Sequence, residues 1–170
     1  MRLLTWFGLL LFIVVLFPTA GNAQKKTFPT FEQYRVAVDS NIRPARPKLI
    51  TKMARLFRTG IRSQAATGPD FAGHYTIALL GCGSPCRRYA IVDSLTGNVY
   101  FPKELDVIWT SPWRDGDPLA NQDPFQYRKD SRLLIIVGSG NMNAAHRKGK
   151  YFYQWKNNKL RLIAAIKRDY

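Results

Sequence analysis

Apolar residues along this chain repeat with two different periods, and the change falls near residue 70. Between Lys48 and Ala65, a wheel at about 100° per residue gathers Leu49, Met53, Leu56, Phe57 and Ile61 on one side. Lys48, Lys52, Arg55, Arg58 and Arg62 gather on the other, so the spacing predicts an amphipathic helix with a purely cationic polar face. Gly68 is placed to stop it, with Pro69 behind. An apolar stripe of this kind is the ordinary signature of a helix packed on a sheet; with cations opposite, it also suits an anionic membrane surface. Upstream, Thr30-Phe31-Glu32-Gln33 has the form of a capping box and predicts a short helix through Val38. Pro44 and Pro47 push their predecessors into extended backbone and prevent its continuation.

From Phe71 the period becomes two. Tyr75, Ile77 and Leu79 alternate with Thr76 and Ala78, and after a glycine-bearing loop Arg88, Ala90 and Val92 alternate with Tyr89 and Ile91. Asp93 to Asn98 reads as a turn, with Asp93 suited to bonding its following backbone and Gly97 to a positive φ; Val99-Tyr100-Phe101 is the next strand. Val107-Ile108-Trp109, Phe125-Gln126-Tyr127 and Arg132 to Val137 continue the strand character. A long loop through Lys150 then leads to Tyr151–Trp155, the turn Lys156 to Lys159, and Leu160–Ile166. GHYTIALLGCG, RRYAIVD and GNVYFP answer to SRLLIIVGSG, YFYQWK and KLRLIAAI, which makes a pseudo-repeat of a three-stranded meander. Two such units cannot close a propeller. The expected fold is α+β but mainly β: an antiparallel curved sheet or two-layer meander of six to eight strands, with one or two N-terminal helices packed on it.

The N-terminus carries Arg2, an apolar run from Leu3 to Phe17, Pro18, and small residues at Gly21 and Ala23. That order is a secretory signal peptide over residues 1–23 with a mature start at Gln24. A membrane span needs about 20 apolar residues, and this run is shorter and ends in proline. Residues 24–170 form a single exported domain, helical over 24–70 and a β-meander over 71–170. The expected location is the periplasm or the medium. Lys and Arg number 26 against 11 Asp and Glu, a formal charge of +15 that becomes +14 without Arg2. Such an excess predicts attraction to polyanions. Export sets nucleic acid aside and leaves an anionic envelope polymer, a lipid surface or a protein partner, with no transmembrane segment after cleavage.

Cys82 and Cys86 flank Gly83-Ser84-Pro85, and four readings of the pair follow, of which a zinc site lacks enough obvious ligands. Residues facing each other across an antiparallel hairpin lie about 4.5–5.5 Å apart at Cα, within disulfide reach. A bond there closes a small ring worth about 2 kcal/mol in loop entropy, so it fixes a bend more than it stabilises a fold. A thioredoxin-like redox centre would have two intervening residues and a helix at the first cysteine; three intervene here and a strand follows. Two thiolates with a histidine would suit Cu(I), and His74 and His146 are the histidines available. The spacing resembles that of Sco-type copper chaperones, which set the pair at the start of a helix in a thioredoxin fold.

Remaining candidates are weaker in chemistry. His74 would need a carboxylate neighbour to act as an acid or base. His146 sits with Arg147, Lys148 and Lys150 in a basic loop. Ser139 lacks the nucleophile frame G-x-S-x-G. Asp115, Asp117, Asn121 and Asp123 concentrate oxygen ligands but depart from EF-hand spacing, as a solvated turn would. ARLFRTGIR and GPDFAGHYTIALLGCGSPCRRYAIVDSLTGNVYFP, between Ala54 and Pro102, resemble a group of small exported bacterial proteins with FAGHY, GCG and a second cysteine, IVD and TG in series. The resemblance implies export and the sheet plan, and brings no catalytic residue or cofactor.

The sequence therefore points to a non-catalytic binding or structural protein that needs no cofactor. Its expected contacts are Lys48, Lys52, Arg55, Arg58, Arg62, His74, Arg87, Arg88, His146 and Arg147, with Cys82 and Cys86 as a staple. An envelope redox or copper-handling protein built on the cysteine pair and His74, and an inhibitor or immunity-type protein, are the alternatives.

Overall fold

The computed structural model describes residues 27–81, 83, 86–109, 113–139 and 148–169, with Cys86 described by its backbone alone. Among them lie two short helices, α1 (Lys52–Leu56) and α2 (Arg58–Ala65), and eight strands. The strands are β1 (Tyr75–Gly81), β2 (Cys86–Asp93), β3 (Val99–Tyr100), β4 (Ile108–Trp109), β5 (Phe125–Tyr127), β6 (Leu133–Gly138), β7 (Gly149–Lys156) and β8 (Lys159–Lys167). The mainly β, antiparallel plan holds, and the two halves of the pseudo-repeat are two separate sheets. One is β1-β2-β3 with β4 added on β2; the other is β5-β6-β7-β8.

Alternation along the strands divides the core into layers. Ile77 and Ile91 of the first sheet meet Leu134, Ile136, Tyr151, Tyr153 and Trp155 of the second in one buried cluster. On the other face of the first sheet, Ala78, Leu80, Ala90 and Val92 pack against Ala54, Ile61 and Ala65 of the helices. Leu133, Ile135, Val137 and Phe152, on the outer face of the second sheet, are covered by Leu119 and by Phe28, Phe31, Tyr34 and Trp113. The order is helices, sheet, sheet, then the N-terminal segment and a loop. Both faces of β6 are therefore buried, which is why its sequence LLIIVG shows no alternation. A bulge completes the second sheet: Tyr153 pairs with Leu162 but Phe152 with Ala164. Ile163 is the residue without a partner, so the inward positions of β8 change parity along the strand.

Two local expectations change. The helix drawn over Lys48–Ala65 begins at Lys52, where the Thr51 side chain accepts from the Ala54 N–H at 3.1 Å, and it bends at Phe57 (φ −98°, ψ 21°). A single wheel cannot describe two helices, so Leu56 is 66% exposed while Ala54 and Ala65 take buried places. The helix expected through Val38 is a 3₁₀ turn over Phe31–Tyr34, closed by Gln33 Oε1 accepting from the Thr30 N–H at 3.0 Å. Beyond it the chain extends, because the loop after β5 takes its hydrogen bonds: Arg132 N–H donates to Tyr34 O, Val36 N–H to Asp130 O, and the buried Ser131 hydroxyl to Phe31 O. These tertiary bonds outweigh the helix tendency of a segment holding β-branched Val36 and Val38. The leader read over residues 1–23 lies outside the described residues.

The free edge of β1 is covered. Gln64 of α2 accepts from the Leu79 N–H and donates to the Leu79 carbonyl, both at 2.8 Å, and Asp70 accepts from the Ile77 N–H at 2.9 Å. Edges with free backbone groups invite strand addition from other molecules, and these contacts remove that template. At a corner of the fold, Trp109 and Ser139 exchange backbone hydrogen bonds of 2.9 Å and tie the two sheets together.

Candidate functional site

Between Ser40 and Pro69 the chain has seven Lys and Arg and no Asp or Glu. The extended part of this stretch is tied to the Asp93–Asn98 turn by Ala45 N–H to Ser94 O (2.8 Å) and Lys48 N–H to Gly97 O (2.7 Å). Helices α1 and α2 follow, held to the sheet by Ile61, which is fully buried. Lys48, Lys52, Arg55, Arg58 and Arg62 are all exposed on this layer. Arg55 donates to the Ile50 carbonyl and Arg58 to the Arg55 carbonyl, and none of the five is ion-paired among the described residues. Elsewhere several acids are engaged with other cations. Asp130 holds Arg35 and Arg128, Glu32 holds Arg128, and Asp117 holds Arg168. Hydrogen bonding from Arg128 keeps the Asp130 carboxyl below its ordinary range. The result is a cationic strip with no carboxylate partner among the described residues, and cations such as Arg132, Lys156, Lys159 and Arg161 add further positive charge elsewhere. Ile50 and Leu56, at 72% and 66% exposure, stand in the same segment as Lys52 and Arg55.

The other expected contacts divide. Arg88 reaches the helical layer, with its guanidinium 5.7 Å from the centre of the Phe57 ring, but Asp106 pairs with it. Arg87 is exposed at the far end of β2, opposite Gly81. His74 precedes β1, which runs seven residues to Gly81, so about 3.3 Å per residue puts it about 23 Å from the Gly81 end of the hairpin, where the Cys86 backbone also lies. Cys82, the side chain of Cys86, His146 and Arg147 lie outside the described residues.

His74 instead lines a recess of about 350 Å³ with Ala72, Tyr75, Arg132, Trp155, Lys156, Asn157 and Asn158. Three distant stretches supply it. The loop before β1 turns through Ala72 (φ 46°) and brings the His74 ring against Tyr75, with centroids 4.2 Å apart. Arg132 arrives from the start of β6, and Asn157 and Asn158 form the two-residue β7–β8 turn, whose positive φ values of 52° and 58° suit a type I′ hairpin. The Tyr75 hydroxyl donates to Asn158 Oδ1 at 3.1 Å, and burial pushes that phenol up. Nearby, Asp93 lies 4.0 Å from His74 Nε2, beyond hydrogen-bond length. Its oxygens are taken by the N–H groups of Leu95 and Thr96 and by the Thr96 hydroxyl. Asp93 therefore serves the turn first, as its place in the sequence suggested. Arg132, Trp155 and the two asparagines went unnoticed in the sequence because about 60 to 80 residues separate them from His74, and no local pattern marks them.

The aspartate-rich loop is built from turns: Asp117 accepts from the Leu119 N–H and pairs with Arg168, and Asp123 accepts from the Phe125 N–H. Among the described residues no group of three or more His, Cys, Asp or Glu could hold a metal ion, and no helix is long and apolar enough to cross a membrane. Fold and sites together define a class: a basic, two-sheet antiparallel β protein with a strongly cationic helical cover. No protein-family model, curated protein or solved structure matches the chain.

Proposed function

We propose that this is a non-catalytic binding protein of the periplasm or extracellular space, docked through its helical layer on an anionic component of the cell envelope. The strip of Lys48, Lys52, Arg55, Arg58 and Arg62 carries the reading, because five exposed cations lie together in one segment with no carboxylate partner among the described residues. Ile50 and Leu56 favour a lipid surface over a soluble polymer, since exposed apolar side chains beside cations can enter the headgroup boundary. In this reading the Cys82–Cys86 disulfide closes the β1–β2 bend, and a protein partner with an acidic face is the alternative occupant of the strip. A copper or redox centre finds less support, because His74 stands too far from the bend to share an ion with both cysteines.

Vesicle co-sedimentation tests the proposal. The protein is expected to bind vesicles of mixed phosphatidylcholine and phosphatidylglycerol but not phosphatidylcholine alone. Binding is expected to fade as salt shortens the Debye length from about 30 Å to about 3 Å. No association with the anionic vesicles at the lowest salt would sink it.

A further inference from the structure

We propose that the recess beside His74 is a second binding site, which takes the oxyanion end of a small molecule or polymer, a carboxylate or a phosphate. The proposal does not rest on the helical layer, which is formed by other residues.

Four observations converge. The recess, at about 350 Å³, falls within the range of small-ligand sites and is walled by His74, Arg132 and Lys156. Among the described residues neither Arg132 nor Lys156 is ion-paired, and Asp93, the carboxylate described near His74, is bonded by three neutral donors and 7% exposed. The local field is therefore positive and open to an anion. The third observation lies at the wall: Trp155 is 2% exposed and its indole N–H has no well-aligned hydrogen-bond acceptor among the described residues. The Tyr75 ring stands edge-on to Trp155 at 5.4 Å, and its hydroxyl, which donates to Asn158, interacts with the indole N–H without meeting full hydrogen-bond geometry. A buried donor held only by a poorly aligned contact is undersatisfied, because it gives up a hydrogen bond to water for a weaker one. Fourth, the donor types suit a planar or tetrahedral oxyanion. A guanidinium presents two parallel N–H groups to a carboxylate or phosphate, and an asparagine amide adds neutral donors that fix orientation. The aromatic rings of Tyr75 and Trp155 offer a surface for whatever apolar body carries the anion.

The test follows the indole and imidazole signals of the full mature chain by NMR. The spectrum has to separate Trp155 from Trp109 and Trp113, which Trp155→Phe achieves. Inorganic phosphate and benzoate are titrated separately at fixed ionic strength. A saturable shift of the Trp155 indole and His74 ring signals is expected with at least one of them. Saturation by phosphate alone assigns a phosphoryl ligand and by benzoate alone a carboxylate. Arg132→Gln is expected to weaken that binding by about tenfold or more, with the remaining spectrum unchanged because Arg132 is exposed. Lys156→Gln supplies a second variant at an exposed position. Shifts that never saturate with either anion, or saturation unaffected by both substitutions, would overturn the proposal. Neutralising Lys48, Lys52 and Arg62 should leave this titration intact, so the outcome is independent of vesicle binding.

Discussion

Gly97→Ala offers a quantitative check on how the cationic strip is attached. Gly97 has φ +74°, and a Cβ there would stand 2.3 Å from the Arg46 carbonyl oxygen and 3.1 Å from its carbon. Those atoms are backbone and cannot swing aside, so the extended segment must move. Two hydrogen bonds move with it, Lys48 N–H to Gly97 O and Ala45 N–H to Ser94 O. At about 0.5–1.5 kcal/mol each, their loss is worth about 1–3 kcal/mol. The left-handed backbone adds about 1–2 kcal/mol for any L side chain. Gly116 isolates the two effects, because its φ is +78° but nothing lies within 4 Å of a built Cβ. Gly116→Ala should therefore show the backbone term alone, and Gly97→Ala should be less stable than it by the about 1–3 kcal/mol of the lost attachment. In urea melts this appears as a lower midpoint; in thermal melts it amounts to about 2–4 °C for each kcal/mol in a chain of this size. Hydrogen exchange at the Lys48 amide should accelerate in Gly97→Ala and not in Gly116→Ala. Equal stability of the two variants, or an unchanged Lys48 amide, would refute the attachment described here.

Replacing Lys48, Lys52 and Arg62 by Gln should weaken binding to anionic vesicles by about 100-fold, from about 1 kcal/mol per cation near such a surface. Arg35→Gln, whose charge Asp130 already offsets, should change it little; an equal free-energy loss per charge removed would mean that net charge alone matters. Gln64→Ala removes both hydrogen bonds to Leu79 and is expected to lower stability by about 1–3 kcal/mol and to promote concentration-dependent association through the uncovered β1 edge, read by denaturation and light scattering. Asp70 is raised by burial, opposed by hydrogen bonds from Ile77 and Tyr127. Its contribution to stability is full below the ordinary aspartate range and is lost as pH rises through the raised native value. Asp70→Asn should therefore gain on the wild type between about pH 4 and neutrality, and parallel stability curves over that window would contradict the burial argument.

Several features were legible in the chain itself because neighbours in sequence decide them. The period of two over Tyr75–Leu79 and Arg88–Val92, the Asp93–Gly97 turn and the Asn157-Asn158 hairpin each rest on local stereochemistry, and all appear where the pattern put them. The excess of cations over Ser40–Pro69 is equally local. Tertiary contacts decided the rest. Thr51 and the bend at Phe57 shortened and split the helix, Ser131 and Arg132 pulled residues 35–38 out of helical form, and a bulge at Ile163 reversed the facing of half a strand. The recess is the clearest case: His74, Arg132 and Trp155 share no motif and meet only because two sheets stack and bring a loop, a strand start and a hairpin turn to one place. Periodicity reports which face of an element is apolar. Which side chains from remote elements converge depends on how those faces are stacked, and that is a property of the packed chain.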